Sequence, residues 1–371
     1  MIYTIYANHD ATIYEKSQSL NSGIDSILEL SHQSNTNDTS SMFNSRILIK
    51  FNLNRLQEYI GQNKIPNNAK YYLELKTANV QEIPQEYKIY TYPISESWIN
   101  GTGQKDYRAA IADGVSWKYR SSVKSGLEWN VSQSLNPLVT GSYKARYGGG
   151  TWWNQPQLEC TESFSYETSD VYMEVTPIVY AWLSGSNIKN EGFIVKFSDE
   201  VEKLTDSSTT IQFFSTDSNT IYVPKLHVVW DDSIFNTGSL KQVNLDNMNV
   251  NVKLKKYYTI NDRSKIRIYA NLRYPIKTYT TKSYYTENYY LPSSSYYEIR
   301  DAHTDEVYIP FSDTGTKISC DGTSSYFNIW MNSFQPERFY RVVVKTVSDD
   351  EENIQFFDNN HYFKVTRWVS F

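Results

Sequence analysis

In the stretch KYYLELKTA (70–78), Tyr71, Leu73 and Leu75 fall on one side of an extended backbone, with Tyr72, Glu74 and Lys76 on the other. A two-residue period suits a strand with one buried and one wet face. The same signature returns in ATIYEK (11–16), DSILEL (25–30), SRILIKFNL (45–53), YKIYTYPI (87–94), GFIVKFS (192–198), TIQFFST (210–216) and KLHVVWD (225–231). Clusters of Asn, Ser, Gly and Pro separate these segments, which predicts short antiparallel strands joined by turns. After the polar stretch IFNTGSLKQVNLDN (234–247) the pattern restarts in NVNVKLKKYY (249–258), SKIRIYANL (264–272), SYYEIRD (295–301), EVYIPFS (306–312), SYFNIWMNS (325–333), RFYRVVVKTVS (338–348) and HYFKVTRWVS (361–370). A chain of 371 residues exceeds what one core usually organises. The expectation is an all-β protein: a larger sandwich with long loops over 1–233, a linker over 234–242 and a smaller immunoglobulin-like sandwich over 243–371.

Two short helices interrupt the strands. LNRLQEYIG (53–61) ends at Gly61 as a C-cap, and in VTPIVYAWLSG (175–185) Thr176 can N-cap with Pro177 at the first helical position. Residues 100–165 are poor in strand pattern but rich in Gly, Ser and Trp, and read as long ordered loops. The start MIYTIYANHD lacks the basic and apolar regions of a signal peptide, and no run approaches a membrane span, so a soluble, unprocessed chain is expected. Cys160 and Cys320 are too few and too distant for a disulfide framework. A net charge of −5 supplies no basic field for nucleic acid.

Catalysis finds little support in the residues. His9, His32, His227, His303 and His361 are scattered, and no Gly-x-Ser-x-Gly elbow or Cys-x-x-Cys pair occurs. The chain is expected not to be an enzyme, with paired carboxylates for glycoside cleavage as the remaining route to one. His227, opposite the Leu226, Val228 and Trp230 face, reads as a surface histidine. TNDTS (36–40) and STDSNT (215–220) offer oxygen ligands for a structural calcium, but their spacing favours ordinary turns, and no cofactor is expected.

Aromatic rings are the functional candidates. Trp117, Trp129, Trp152 and Trp153 lie in the long loops, where they either stack on a sugar or a partner, or staple the loop to the sandwich. Trp98 and Trp182 read as core. KTYTTKSYYTENYYLP (277–292) holds Tyr279, Tyr284, Tyr285, Tyr289 and Tyr290, too many for one strand face to hide, which predicts a protein-binding surface. YGGGTWWN (147–154) lacks the Lys and Ser/Thr of a phosphate loop, so its glycines read as turn-formers beside a sheet.

The order of features over 1–232 resembles the DNRLRE-type domains. TIYEKSQSLNSGIDSILEL, SRILIKFNLNRL, IPNNAKYYLEL, YKIYTYPISESW ending in Trp98, VSWKY, YGGGTWW, MEVTPIVYAWLSGSNIKNEGFIVKF and FFSTDSNTIYVPKLHVVW follow in the family's order. The connection from Trp98 through Trp117 to the glycines is longer than usual for the family. YYLPSSSYYEIRDAHTDEVYIPF and RFYRVVVK are similar to C-terminal domains of phage structural proteins. The resemblance implies a jelly-roll-like sandwich related to carbohydrate-binding modules, found on secreted and surface proteins and in virion proteins of tailed bacteriophages. It implies a virion component of the neck, tail or head-to-tail connector, assembled in the host cytoplasm and contacting other virion proteins as a symmetric homo-oligomer. The alternative it carries is a module recognising host surface glycans through the loop tryptophans.

Overall fold

The computed structural model describes the chain except for residues 35–41, 82–86, 109–112, 123–125, 131–138, 142–147, 165–168, 186, 205–207, 243–246, 275–288, 349–352 and 368–371. The period-two segments all lie in strands, and the fold is nearly all β. The chain divides into two compact units, one of residues 5–227 and one of residues 1–4 with 228–371.

The first half of the chain carries β1 (Ile2–Tyr14), β2 (Ile27–Ser34), β3 (Met42–Phe51), β4 (Lys70–Leu75), β5 (Thr77–Gln81), β6 (Tyr87–Pro93), β7 (Tyr119–Ser121) and β8 (Leu127–Glu128). There follow β9 (Val139–Gly141), β10 (Thr151–Trp153), β11 (Cys160–Phe164), β12 (Val171–Glu174), β13 (Phe193–Phe197), β14 (Thr209–Phe214) and β15 (Lys225–Val229). The main sheet runs β11-β6-β13-β3-β1-β15-β4-β12, with β2 joined to β3 and β14 bridging β2 and β5. Its two ends approach one another, since the Tyr172 N–H on β12 donates to Glu162 Oε2 on β11 at 2.9 Å. The sheet therefore wraps around a core. Ile47, Ile49 and Phe51 of β3 and Phe193, Val195 and Phe197 of β13 are buried on one face, paired Phe193 to Ile49 and Val195 to Ile47.

Helices α1 (Asn54–Gly61) and α2 (Thr176–Leu183) sit where the spacing predicts them, but their ends differ from expectation. Gly61 is the last helical residue rather than the cap, and the left-handed position falls at Asn63, with φ 53°. Thr176 lies inside α2, and its hydroxyl accepts the Tyr71 N–H of β4 at 2.9 Å instead of capping. A strand edge competes for that oxygen.

The other unit holds β16 (Phe235–Asn236), β17 (Lys241–Gln242), β18 (Met248–Lys253), β19 (Tyr257–Thr259), β20 (Arg263–Leu272) and β21 (Tyr289–Tyr290). It continues with β22 (Ser295–Asp301), β23 (Val307–Ile309), β24 (Ser319–Asp321), β25 (Ser325–Trp330), β26 (Phe339–Val347) and β27 (Ile354–Thr366). Among the described residues these form two sheets, β16-β24-β25-β20-β21-β17 with β18 on β20, and β19-β27-β26-β22-β23. The sheets face each other, as the stack of Tyr297 (β22) on Phe327 (β25) at 4.0 Å between centroids shows.

Two assignments differ from the sequence reading. The expected linker 234–242 supplies two strands, β16 parallel to β24 and β17 parallel to β21, because each pairing gives its backbone groups partners. Residues 1–4, expected in the first sandwich, pack in the second unit. There Met1, Ile2 and Tyr3 are buried, Thr4 N donates to Ser333 Oγ at 3.0 Å, and Tyr3 meets Trp330 edge-on.

Candidate functional site

On the second face of the wrapped sheet, alternation places Ala11 and Ile13 of β1, Arg46 and Leu48 of β3, Tyr92 of β6 and Ile194 of β13. Leu48 lies opposite both Ala11 and Ile194, and Arg46 opposite Ile13. A polar residue such as Arg46 predicts a wet face. Instead the loop region from Ile94 to Trp153 lies over it, and Trp98, Val115, Trp117, Trp129 and Trp152 form one buried cluster with Ala11, Ile13, Leu48, Tyr92, Ile94 and Ile194.

This corrects the reading of three loop tryptophans as an exposed platform. Trp117, Trp129 and Trp152 are buried at 1%, 3% and 4% exposure, because the sheet's outer face is apolar enough to hold them. Trp129 also donates its Nε1 to Ser116 O at 3.0 Å. Trp153, next in sequence to Trp152 on β10, is half-buried. Trp98 and Trp182 are buried as expected, Trp98 donating to Glu191 O at 2.8 Å.

Arg46 pins the layer to the sheet. Its Nε and Nη2 donate to the two carboxylate oxygens of Glu202 at 2.9 and 2.6 Å, and its Nη1 to the Gly149 carbonyl at 2.6 Å. Its guanidinium carbon lies 4.9 Å from the Trp117 ring centroid and 5.2 Å from that of Trp152. A planar cation between two indoles satisfies its donors in plane and its faces by cation–π attraction. Around it, Glu15 accepts from Asn44, and Asn44 Oδ1 is 2.8 Å from His32 Nδ1.

The three glycines make this approach feasible. Gly148, Gly149 and Gly150 all have positive φ, and Gly149 N donates to Trp117 O at 2.6 Å. A Cβ on Gly148 would stand 2.1 Å from that same carbonyl oxygen. Gly148→Ala is therefore expected to cost about 3 kcal/mol or more in urea unfolding. The control is Gly61→Ala at the end of α1, where a Cβ meets nothing within 4 Å; it is expected to be neutral or stabilising, and equal effects of the two would refute the assignment.

A second charged group lies on β4 and β15. His227 is buried rather than on the surface, because Glu74 bonds it directly and Tyr172 tilts against it. Burial alone would raise Glu74, but Lys225, His227 and Lys76 outweigh it and hold the carboxyl far below the usual carboxylate range. Asp10 shows the opposite: burial pushes its carboxyl up to about 7 against the two donors of Thr216. Burial likewise lifts Glu162 to about 7 and Asp25 to about 6.

These shifts predict a stability profile. Glu74 contributes stability above its unfolded pKa and loses it as pH falls. Asp10, Glu162 and Asp25 keep a proton in the folded state that the unfolded chain has released, so stability falls as pH rises from about 4 to 7, by up to about 1.4 kcal/mol per unit for each fully shifted group. The melting temperature is expected to be higher at pH 5 than at pH 8, and Asp10→Asn to narrow that difference. A higher melting temperature at pH 8 would contradict the assignment.

Of the tyrosines predicted to form a binding surface, Tyr289 and Tyr290 lie half-buried on β21, and Phe235 meets Tyr290 edge-on at 5.8 Å. Tyr279, Tyr284 and Tyr285 lie outside the described residues. Sequence reading missed the most exposed apolar pair of this unit's edge strand, Ile354 and Phe356 on β27, at 51% and 61% exposure. Phe356 lies opposite Lys345 and beside Phe311, and Lys345 Nζ sits 5.8 Å from the rings of both Phe311 and Tyr296. The signal was present as Ile-x-Phe in period two, but the strand read as starting only at His361.

Of the oxygen-rich loops, 36–40 lies outside the described residues. In 215–220 the Ser215 hydroxyl accepts the Asp217 N–H at 3.0 Å and Asn219 is left-handed, a self-satisfied turn. Among the described residues, no three His, Cys, Asp or Glu side chains gather as a metal site, and no helix is long and apolar enough to cross a membrane.

No protein-family model matches the chain, and no curated protein matches it. Among solved structures, a DUF4785 family protein from Legionella pneumophila is similar at 9% identity and a TM-score of 0.19, over 98% of this chain and 62% of that one. The chain thus spans less than two thirds of that protein.

Proposed function

We propose that the chain is a non-enzymatic structural component of a tailed-bacteriophage virion, acting through protein–protein contacts in the neck, tail or head-to-tail assembly. The carrying observation is where the large apolar side chains are spent. The loop tryptophans that a glycan-binding reading requires are mostly turned inward, whereas Ile354, Phe356, Ile234 and Phe235 are exposed on the C-terminal unit. Exposed aromatic and aliphatic clusters of this kind suit burial against another protein. The ordered motifs of the resemblance give the virion context.

Mass spectrometry of purified particles tests the reading, with the chain expected as a stoichiometric component and immunogold label expected at the head-to-tail region. Absence from purified particles would overturn it. Phe356→Glu is expected to weaken association of the full chain with itself or other virion proteins at least tenfold, with its melting temperature within about 2 °C of the parent's. Unchanged association would remove this surface from the contact.

A further inference from the structure

Lys196 follows Val195 on β13, and its side chain enters the buried tryptophan layer. Its Nζ lies 2.5 Å from Asp199 Oδ1, 3.3 Å from Glu202 Oε2 and 5.5 Å from the Trp152 ring centroid. The side chains of Lys196, Arg46 and Glu202 are 2–3% exposed, whereas that of Asp199 is 56% exposed. Two buried cations thus share one buried carboxylate, and Arg46 already grips both oxygens of that carboxylate.

We propose that Lys196 and Asp199 become joined by an amide bond between their side chains. An unbalanced buried charge is costly, and condensation removes it, leaving Arg46 and Glu202 as a neutral buried pair. The two residues are three apart in a turn, so little further loop entropy is lost on closure. An Nζ bonded to a carboxylate oxygen is also close to the separation of about 3–3.5 Å from which addition proceeds.

The step balances without any co-reactant. A proton passes from the Lys196 ammonium to the Asp199 carboxylate, and Nζ adds to Cγ, forming the N–C bond. Glu202 Oε2 takes a second proton from Nζ and returns it to the departing hydroxyl. The C–O bond breaks and water leaves on the exposed side of Asp199. One positive and one negative charge disappear together, so the net charge is unchanged. Trp152 covers Nζ from solvent during the step.

Intact mass measurement of the denatured full chain tests this. The chain is expected to be lighter than its sequence mass by one water, and trypsin is expected not to cut after Lys196. Asp199→Ala, at an exposed position, is expected to restore both the full mass and the cleavage. Glu202→Gln is expected to leave Lys196 and Asp199 unjoined. A full wild-type mass after prolonged incubation of the folded chain would overturn the proposal. So would loss of water with cleavage after Lys196 intact, which would mark a succinimide instead.

Discussion

Arg46→Met is expected to lower the free energy of unfolding by about 3–5 kcal/mol, measured by urea titration of the full chain. The methionine fills much of the same volume, so the loss reports the charge rather than a hole. It leaves the Gly149 carbonyl without its donor and removes the bidentate partner of Glu202. Lys196, 3.3 Å from Glu202, takes up part of the imbalance, which places the value toward the lower end. Replacing Glu202 by leucine in the same chain should recover part of the loss, because a buried charge without its partner costs more than an apolar pair. A loss below about 1 kcal/mol would mean that the guanidinium reaches water, contrary to its 2% exposure.

Trp152→Ala and Trp153→Ala should differ widely. The first removes a ring buried between Tyr92, Arg46 and Lys196, and is expected to cost about 3–5 kcal/mol. The second removes a half-buried ring and is expected to cost about 1 kcal/mol or less. Combining Trp152→Ala with Arg46→Met should show a coupling of about 0.5–2 kcal/mol, since each change removes part of the same cation–π contact. Equal costs for the two tryptophans would show that the ring facing the sheet had been misassigned.

The strands were legible because their signal is local. In KYYLELKTA the buried and half-buried residues alternate along β4 as the spelling requires. What covers the far side of a sheet is not local. SRILIKF spells a strand with Arg46, Leu48 and Lys50 on a wet face, and only the chain from 94 to 153, which has no period of its own, turns Arg46 and Leu48 into core. His227 was misread for the same reason, since its partner Glu74 lies 153 residues earlier. The Asn-x-Gly turn at Asn21 shows how such a loop is held. Asn21 Nδ2 donates to Asn100 O and Val115 O, while its Oδ1 accepts from Gly103 N. A Cβ on Gly101 would collide with that side chain at 2.4 Å. The three glycines before Thr151 were legible as turn-formers, but not the reason for them, which is to bring one carbonyl within reach of a buried guanidinium.

The placement of residues 1–4 within the C-terminal unit bears on how this chain is made. On the ribosome, the first residues to emerge must wait for β25, more than three hundred positions later, before Thr4 can find Ser333 and Tyr3 can find Trp330. Until then three large apolar side chains at the start of β1 have no burial site. Closure over so long a separation is slow. The nascent chain is therefore most vulnerable to misassociation at the end it makes first, and completing the last unit is what retires that risk.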